Sequence, residues 1–311
     1  MISCTEFIPA YSELFTFLDN KYGREEVSRL WEYIFKPTGD GIPLINYARR
    51  DGLKGCIDYW AKTLSEEAAD RIGYQNVEEG WSYGIMYYCP SKGRLLELEK
   101  EIGLKPYYDY CAHCDYYRAA LDEVGLKWIR NHIDVDKASC TSLLYDPKKF
   151  KGLLTLNENT KIVRTKASDN EYFHRDFHSS MNMGVEYVGM AHGTQDVIDY
   201  LVMYTNDVYK PVINAIKSDP MGAIENKIRE TYRQEKADDV LQIEKDENTL
   251  CVKILHCPAV KHLKETGRVV SSWFYLTTQV VMKTLAEHAG LSFTMEYYDE
   301  ETGAAKYRFD R

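Results

Sequence analysis

Two stretches of this 311-residue chain repeat one another, segment by segment and in the same order. Lys21 to Phe35 (KYGREEVSRLWEYIF) aligns with Ala191 to Thr205 (AHGTQDVIDYLVMYT), pairing Gly23 with Gly193, Glu26 with Asp196 and Val27 with Val197. Further on, GWSYGIMYYCPSKGRLLE aligns with NTLCVKILHCPAVKHLKE, which sets Cys89-Pro90 opposite Cys257-Pro258. RAALDEVGL then aligns with MKTLAEHAGL, placing Gly125-Leu126 opposite Gly290-Leu291. Three matches at agreeing spacing exceed what the periodicity of one helix produces, so the chain reads as two copies of one unit. Residues 1–150 form the first copy and 169–311 the second, joined by a polar connection over 151–168 with an Asn-Glu-Asn-Thr turn signal.

Each copy has the same coarse pattern. Apolar residues at helical spacing run through Phe7, Tyr11, Leu14, Phe15 and Leu18, then Val27, Leu30, Trp31 and Ile34 after the break at Gly23, then Leu53, Cys56, Ile57, Trp60 and Leu64. A short run from Trp81 to Tyr88 reads as a strand, and Pro90 suits the first position of the helix after it. Helices are predicted over Ser91 to Ile102 and Tyr107 to Val124, and a closing pair of strands near Trp128 to Val135 and Ser139 to Tyr145. In the second copy the pattern predicts helices over Asn170–Met190, Thr194–Tyr209 and Gly222–Glu235, a strand over Leu250–His256, helices after Pro258 and Ser271, and strands over Ser292–Tyr298 and Ala304–Phe309. The expected class is α+β: two similar helix-rich units, each with helices followed by a strand-helix-helix-hairpin element, packed pseudo-symmetrically.

Charge narrows the function. With 39 basic against 48 acidic residues, a formal net charge of -9 and no Lys/Arg run, a phosphate-tracking surface for nucleic acid is not expected. No stretch approaches the roughly 18 apolar residues of a membrane span, and MISCTEFIPAYSELF lacks the basic and apolar regions of a signal peptide, so a cytoplasmic protein is expected. In that compartment the 8 cysteines are thiols or ligands rather than disulfides. Tyrosine is the compositional outlier, 25 against 10 Phe and 5 Trp, and phenols suit either a polar-lined pocket or the faces of amphipathic helices.

The thiols are unevenly shared. The first copy carries Cys89, Cys111 and Cys114 in YCAHCDYYR, and Cys140, whereas the second retains only Cys257 of this set. Core filling gives no reason for such asymmetry; a single active site in a duplicated chain does. Cys89 precedes a proline at a predicted strand-to-helix junction, where unpaired N–H groups and the helix dipole favour a thiolate. The competing reading is burial, since free cysteine is among the most buried residue types. On the next predicted helix Cys111, Cys114, Arg118 and Leu121 form one stripe, with Asp115 beside the two thiols. Cys111 and Cys114 are also half of a zinc site, which Cys89 and Cys140 or His113 would have to complete, so zinc is admissible though no cofactor is required.

NEYFHRDFHSSMNMG opens the second copy with His174, Asp176 and His178. Four residues apart, the histidines are expected to share a helix face, as two ligands, an acid-base pair or a solvated face, with Asp176 turned away.

Cys89-Pro90 after a strand, Cys111 or Cys114 with Asp115 on the next helix, and Cys140 in the last hairpin resemble the family of L-2-amino-thiazoline-4-carboxylic acid hydrolase. The likeness covers about 60 residues of each copy; the second fits through Cys257-Pro258 and its closing strands, and the duplication departs from the single-unit pattern. It implies a hydrolase of a cyclic amide-like or amidine-like C–N bond in a small molecule. On that reading Cys89, Cys111, Cys114, Asp115 and Cys140 are catalytic candidates, with Arg118, His174, Asp176 and His178 toward the substrate. The first-copy thiols should converge on one pocket, and the space around Cys257 should be filled by Trp273, Phe274 or Tyr275. The rival is a non-catalytic small-molecule or zinc-binding sensor module. A homodimer is compatible with either.

Overall fold

The computed structural model describes residues 1–36 and 43–311. In chain order it contains α1 (Phe7–Tyr22), α2 (Arg24–Ile34), α3 (Leu44–Glu66), β1 (Asp70–Asn76), β2 (Trp81–Tyr88) and α4 (Pro90–Ile102). A 3-10 helix (Tyr110–Tyr116), α5 (Tyr117–Glu123), β3 (Lys127–Asp134), β4 (Ser139–Tyr145) and β5 (Lys161–Thr165) follow. The chain continues through α6 (Phe177–His192), α7 (Thr194–Val208), α8 (Lys210–Ile216), α9 (Pro220–Gln234), β6 (Leu241–Lys245) and β7 (Thr249–Ile254), then α10 (Pro258–Glu265), α11 (Leu276–Ala289), β8 (Ser292–Tyr298) and β9 (Ala305–Asp310). The class is α+β, as expected. No helix among the described residues is long and apolar enough to cross a membrane.

Contacts divide the chain into two units, Arg24–His174 and Met1–Gly23 with Arg175–Arg311. The repeat pattern assigns α1 to the first copy; its packing assigns it to the other unit. Its buried face, with Ile8, Leu14, Phe15 and Leu18 almost without solvent contact, lies on α7 and α6, and Tyr200 Oη donates to the Ala10 carbonyl at 2.8 Å. Burying such an apolar stripe outweighs proximity in sequence.

The Arg24–His174 unit holds an antiparallel sheet in the order β3-β4-β2-β1-β5. α5 packs on β3 and α3 on α5, around stacked Trp60 and Trp128 with Tyr117 edge-on to Trp60. The other unit holds a sheet ordered β6-β7-β9-β8, with α11 against β8 and α7. Read in the same sense, β8-β9-β7-β6 and β3-β4-β2-β1 are the same order. The register break between Arg130 and His132 in β3 recurs between Met295 and Tyr297 in β8, at equal distances from the aligned Leu126 and Leu291. Gly23 (φ 88) and Gly193 (φ 90) end α1 and α6 in a backbone conformation that side chains other than hydrogen disfavour.

Four expectations change. The segment predicted as one helix over Tyr107–Val124 is a 3-10 helix followed by the short α5, because Tyr, Cys, His and Asp favour a helix poorly and the chain closes i→i+3 bonds such as Ala112 N–H to Asp109 C=O at 3.0 Å. The helix predicted from Asn170 begins at Phe177. The connection over 151–168 contains β5, whose β-branched KIVRT pairs with β1. β1, β6 and the short α8 had no counterpart in the sequence reading.

Candidate active site

In the Arg24–His174 unit the row Arg71, Met86, Cys140, Ile133 runs across β1, β2, β4 and β3. The neighbouring row is Gly73, Gly84, Ser142, Arg130. Two adjacent glycines leave a flat floor, and the Arg71 guanidinium lies along it: a Cβ at Gly73 would stand 2.9 Å, and one at Gly84 2.8 Å, from its nitrogens. Burial lowers the Arg71 pKa, with the neighbouring Cys140 opposing. Among the described residues no carboxylate pairs with it. Arg130 is paired: Nε and Nη2 donate to the two Asp115 oxygens at 3.0 and 2.7 Å, which ties the 3-10 helix to β3. Burial works against the Arg130 charge, but its hydrogen bonds to Asp115 favour it, and its pKa is raised.

Cys89 caps α4, with Pro90 at the first helical position and φ, ψ of -74, 121, close to the -84, 122 of Cys257 before α10. Its amide donates to Ala138 C=O at 2.7 Å, which sets α4 beside the β3–β4 turn and Cys140. The Lys92 amide in the first turn favours the Cys89 thiolate, yet burial dominates and raises its pKa, with Cys114, Cys140 and Cys111 adding to the rise. Burial likewise pushes Cys111, Cys114 and Cys140 up to about 11. Cys114 acts on each of Cys89, Cys111 and Cys140, which places the four thiols near one another. Lys92, 8% exposed and without a carboxylate partner among the described residues, acts on Cys111 from α4.

His113 was weighed from sequence only as a zinc ligand. Here its Nδ1 lies 2.5 Å from the Tyr110 carbonyl, so Nδ1 carries the proton. Nε2 is then the lone-pair nitrogen, and it stands 3.5 Å from Cys114 Sγ. Burial drives the His113 pKa down to about 4, with Arg130 lowering it further and Glu67 and Asp115 opposing, which keeps the ring a neutral acceptor. The signal in the sequence was a His-Cys neighbour pair; what hid it was the assumption of an α-helix, where adjacent side chains diverge.

Arg118 does not join the cluster: it is exposed and pairs with Asp115 at 3.1 Å from outside. His174 and His178 do not share a helix face, because α6 begins after His174. His174 pairs with Glu66 in its own unit. In the other unit His178 pairs with Glu235 at 3.0 Å and Asp176 with His262 at 2.8 Å. No three ligand atoms from Cys89, Cys111, Cys114, Cys140 and His113 lie within 4.8 Å of one another. Of the residues expected around Cys257, Tyr275 packs against Tyr298, with ring centroids 5.8 Å apart. Met1 Sδ stands 3.2 Å from Cys257 Sγ, and the tyrosines Tyr232, Tyr298 and Tyr307 are near enough for the thiolate to act on them. Trp273 instead covers Gly189 and donates to Thr194.

No protein-family model, curated protein or solved structure matches the chain.

Proposed function

We propose that the Arg24–His174 unit is a thiol-dependent hydrolase of a small anionic molecule carrying an amide-like or amidine-like C–N bond. The observation that carries this reading is the Cys114–His113 pair, with its tautomer set by the Tyr110 carbonyl. His113 Nε2 takes the Cys114 proton as sulfur attacks the carbon, and charge on the tetrahedral intermediate develops beside Arg130. The C–N bond breaks with return of that proton to the amine. His113 then deprotonates a water that displaces sulfur, so one water is consumed and Cys114 is restored. Arg71 and Lys92 supply uncompensated positive charge for an anionic substituent, and Cys89, Cys111 and Cys140 line the same space.

The rival, a sensor that binds an anion without turnover, draws on the raised thiol pKa values, since none of the four is a standing thiolate at neutral pH. A library of anionic cyclic amides and amidines, read by product release and by intact mass of trapped acyl- or amidino-protein, separates the two. Turnover that Cys114→Ser abolishes and His113→Gln lowers about 10²- to 10⁴-fold supports the hydrolase. Full turnover in Cys114→Ser ends it.

A further inference from the structure

A second cluster lies in the unit formed by Met1–Gly23 and Arg175–Arg311. Cys4 at the head of the chain, His178 in the first turn of α6 and Glu235 at the end of α9 bring one ligand atom each within 4.8 Å of one another. All three are buried, Cys4 at 1%, His178 at 2% and Glu235 at 5% exposure. We propose that these three residues bind a divalent transition metal, zinc being the ion their ligand chemistry suits.

The donor set is one thiol, one imidazole and one carboxylate, the mixed soft and borderline set that zinc takes in tetrahedral sites. Ideal Zn–S, Zn–N and Zn–O lengths put such ligand atoms roughly 3.2 to 3.6 Å apart. His178 Nε2 and Glu235 Oε2 are already 3.0 Å apart, so the site needs adjustments of about an ångström. The other carboxylate oxygen is positioned for support: Glu235 Oε1 accepts from Ser3 Oγ at 2.8 Å and from the Cys4 amide at 2.6 Å. Such bonds orient a ligating carboxylate while leaving its second oxygen for the ion.

Charge argues the same way. A thiolate and a carboxylate buried together repel unless a cation lies between them. With a divalent cation bound by the thiolate, the carboxylate and a neutral imidazole, the buried site is neutral. A separate observation marks the same space as incomplete. Tyr232 on α9 sits three residues before Glu235, is 2% exposed, and among the described residues its hydroxyl has no hydrogen-bond partner. After Cys257 and Tyr307, Glu235 is the next group acting on that phenol, which places it near the cluster. A water in the fourth metal position supplies the partner that Tyr232 Oη lacks. The ion would tie Cys4 to Glu235, 231 residues further along the chain, and to His178 on α6, itself 57 residues before Glu235.

The test is cobalt titration of the full-length protein after chelator treatment. About one equivalent of Co²⁺ should bind tightly with a near-ultraviolet sulfur-to-cobalt charge-transfer band, and zinc should displace it. The band should persist in a Cys111→Ser, Cys114→Ser protein and vanish in Cys4→Ser, with affinity down more than about 100-fold. Should Cys4→Ser not fold, His178→Gln takes its place. Should neither fold, the cobalt spectrum of the Cys111→Ser, Cys114→Ser protein decides. Absence of a tight equivalent, loss of the band in that double variant, or its survival in folded Cys4→Ser overturns the site.

Discussion

At the scale of single residues, reactivity in the thiol cluster is a contest between burial and local donors. The Lys92 amide and the charges of Lys92, Arg130 and Arg71 favour thiolates, but burial wins at every position. The free protein should therefore be slow toward electrophiles. With Cys111, Cys114 and Cys140 at about 11 against an ordinary 9.0, alkylation of these thiols at pH 7 should be roughly 100-fold slower than in the denatured chain. Iodoacetamide labelling mapped by mass spectrometry measures this, and labelling of all three at the denatured rate would contradict it. Arg71 makes a second residue-scale prediction. Gly84→Ala pushes only the flexible end of an arginine, so the fold should survive with a loss under about 1 kcal/mol. Protection of the thiols by a bound anion should nevertheless weaken about tenfold in Gly84→Ala and disappear in Arg71→Ala. Unchanged protection in both variants would remove Arg71 from the site.

At the scale of elements, the 3-10 helix is held to the sheet by the fork between Arg130 and Asp115 and by α2 packing against it. Arg130→Met leaves Asp115 with only the exposed Arg118, and since Asp115 is itself about a third exposed, the loss should be roughly 2 kcal/mol rather than that of a fully buried pair. Urea unfolding measures this; a loss below about 0.5 kcal/mol would mean that the fork does not hold the element. The same element shows why the sequence was only partly readable. Cys89-Pro90 at a strand-to-helix junction and the β3–β4 hairpin follow from alternation, proline placement and the repeat. The Cys114–His113 pair did not, because it depends on a 3-10 backbone that residue spacing does not distinguish from an α-helix. Arg71 was invisible for another reason: DRIGYQN is a polar segment with little alternation, and it becomes a strand by pairing with β2 and β5 on either side. Arg118 drew notice through helical spacing, whereas the arginine whose side chain is buried beside the thiols, Arg130, lies on a strand 15 residues beyond Asp115. The place of α1 was likewise hidden, since an apolar stripe says that a helix is buried but not against what.

At the scale of the whole chain, the two units should answer acidity in opposite directions. Burial raises Glu13 on α1 to about 7 from 4.5, with Asp207 adding and Lys210 opposing, whereas burial lowers His113 to about 4 from 6.5. Between pH 4.5 and 7 the folded unit containing Glu13 holds more protons than its unfolded chain, so its stability falls as pH rises. Between pH 4 and 6.5 the unfolded chain around His113 holds more protons than the folded one, so the His113 contribution to stability is lost as pH falls, while the Glu67 carboxyl, raised above its ordinary value by burial, works in the opposite direction. The Glu13 and His113 shifts each correspond to roughly 3 kcal/mol. Global unfolding would average the two slopes toward zero, so the measurement must resolve the units. Hydrogen exchange corrected for intrinsic rates should show α1 opening more readily at pH 7 than at pH 5, and the Arg24–His174 sheet opening more readily at pH 5 than at pH 7. Glu13→Gln should flatten the α1 profile and stabilise its unit by up to about 3 kcal/mol above pH 7, because the neutral amide avoids ionising a carboxyl that is 4% exposed. The profile of the other unit should stay as it was, since His113 is untouched. An α1 profile that keeps its slope in Glu13→Gln would show that a different group sets the pH response of that unit.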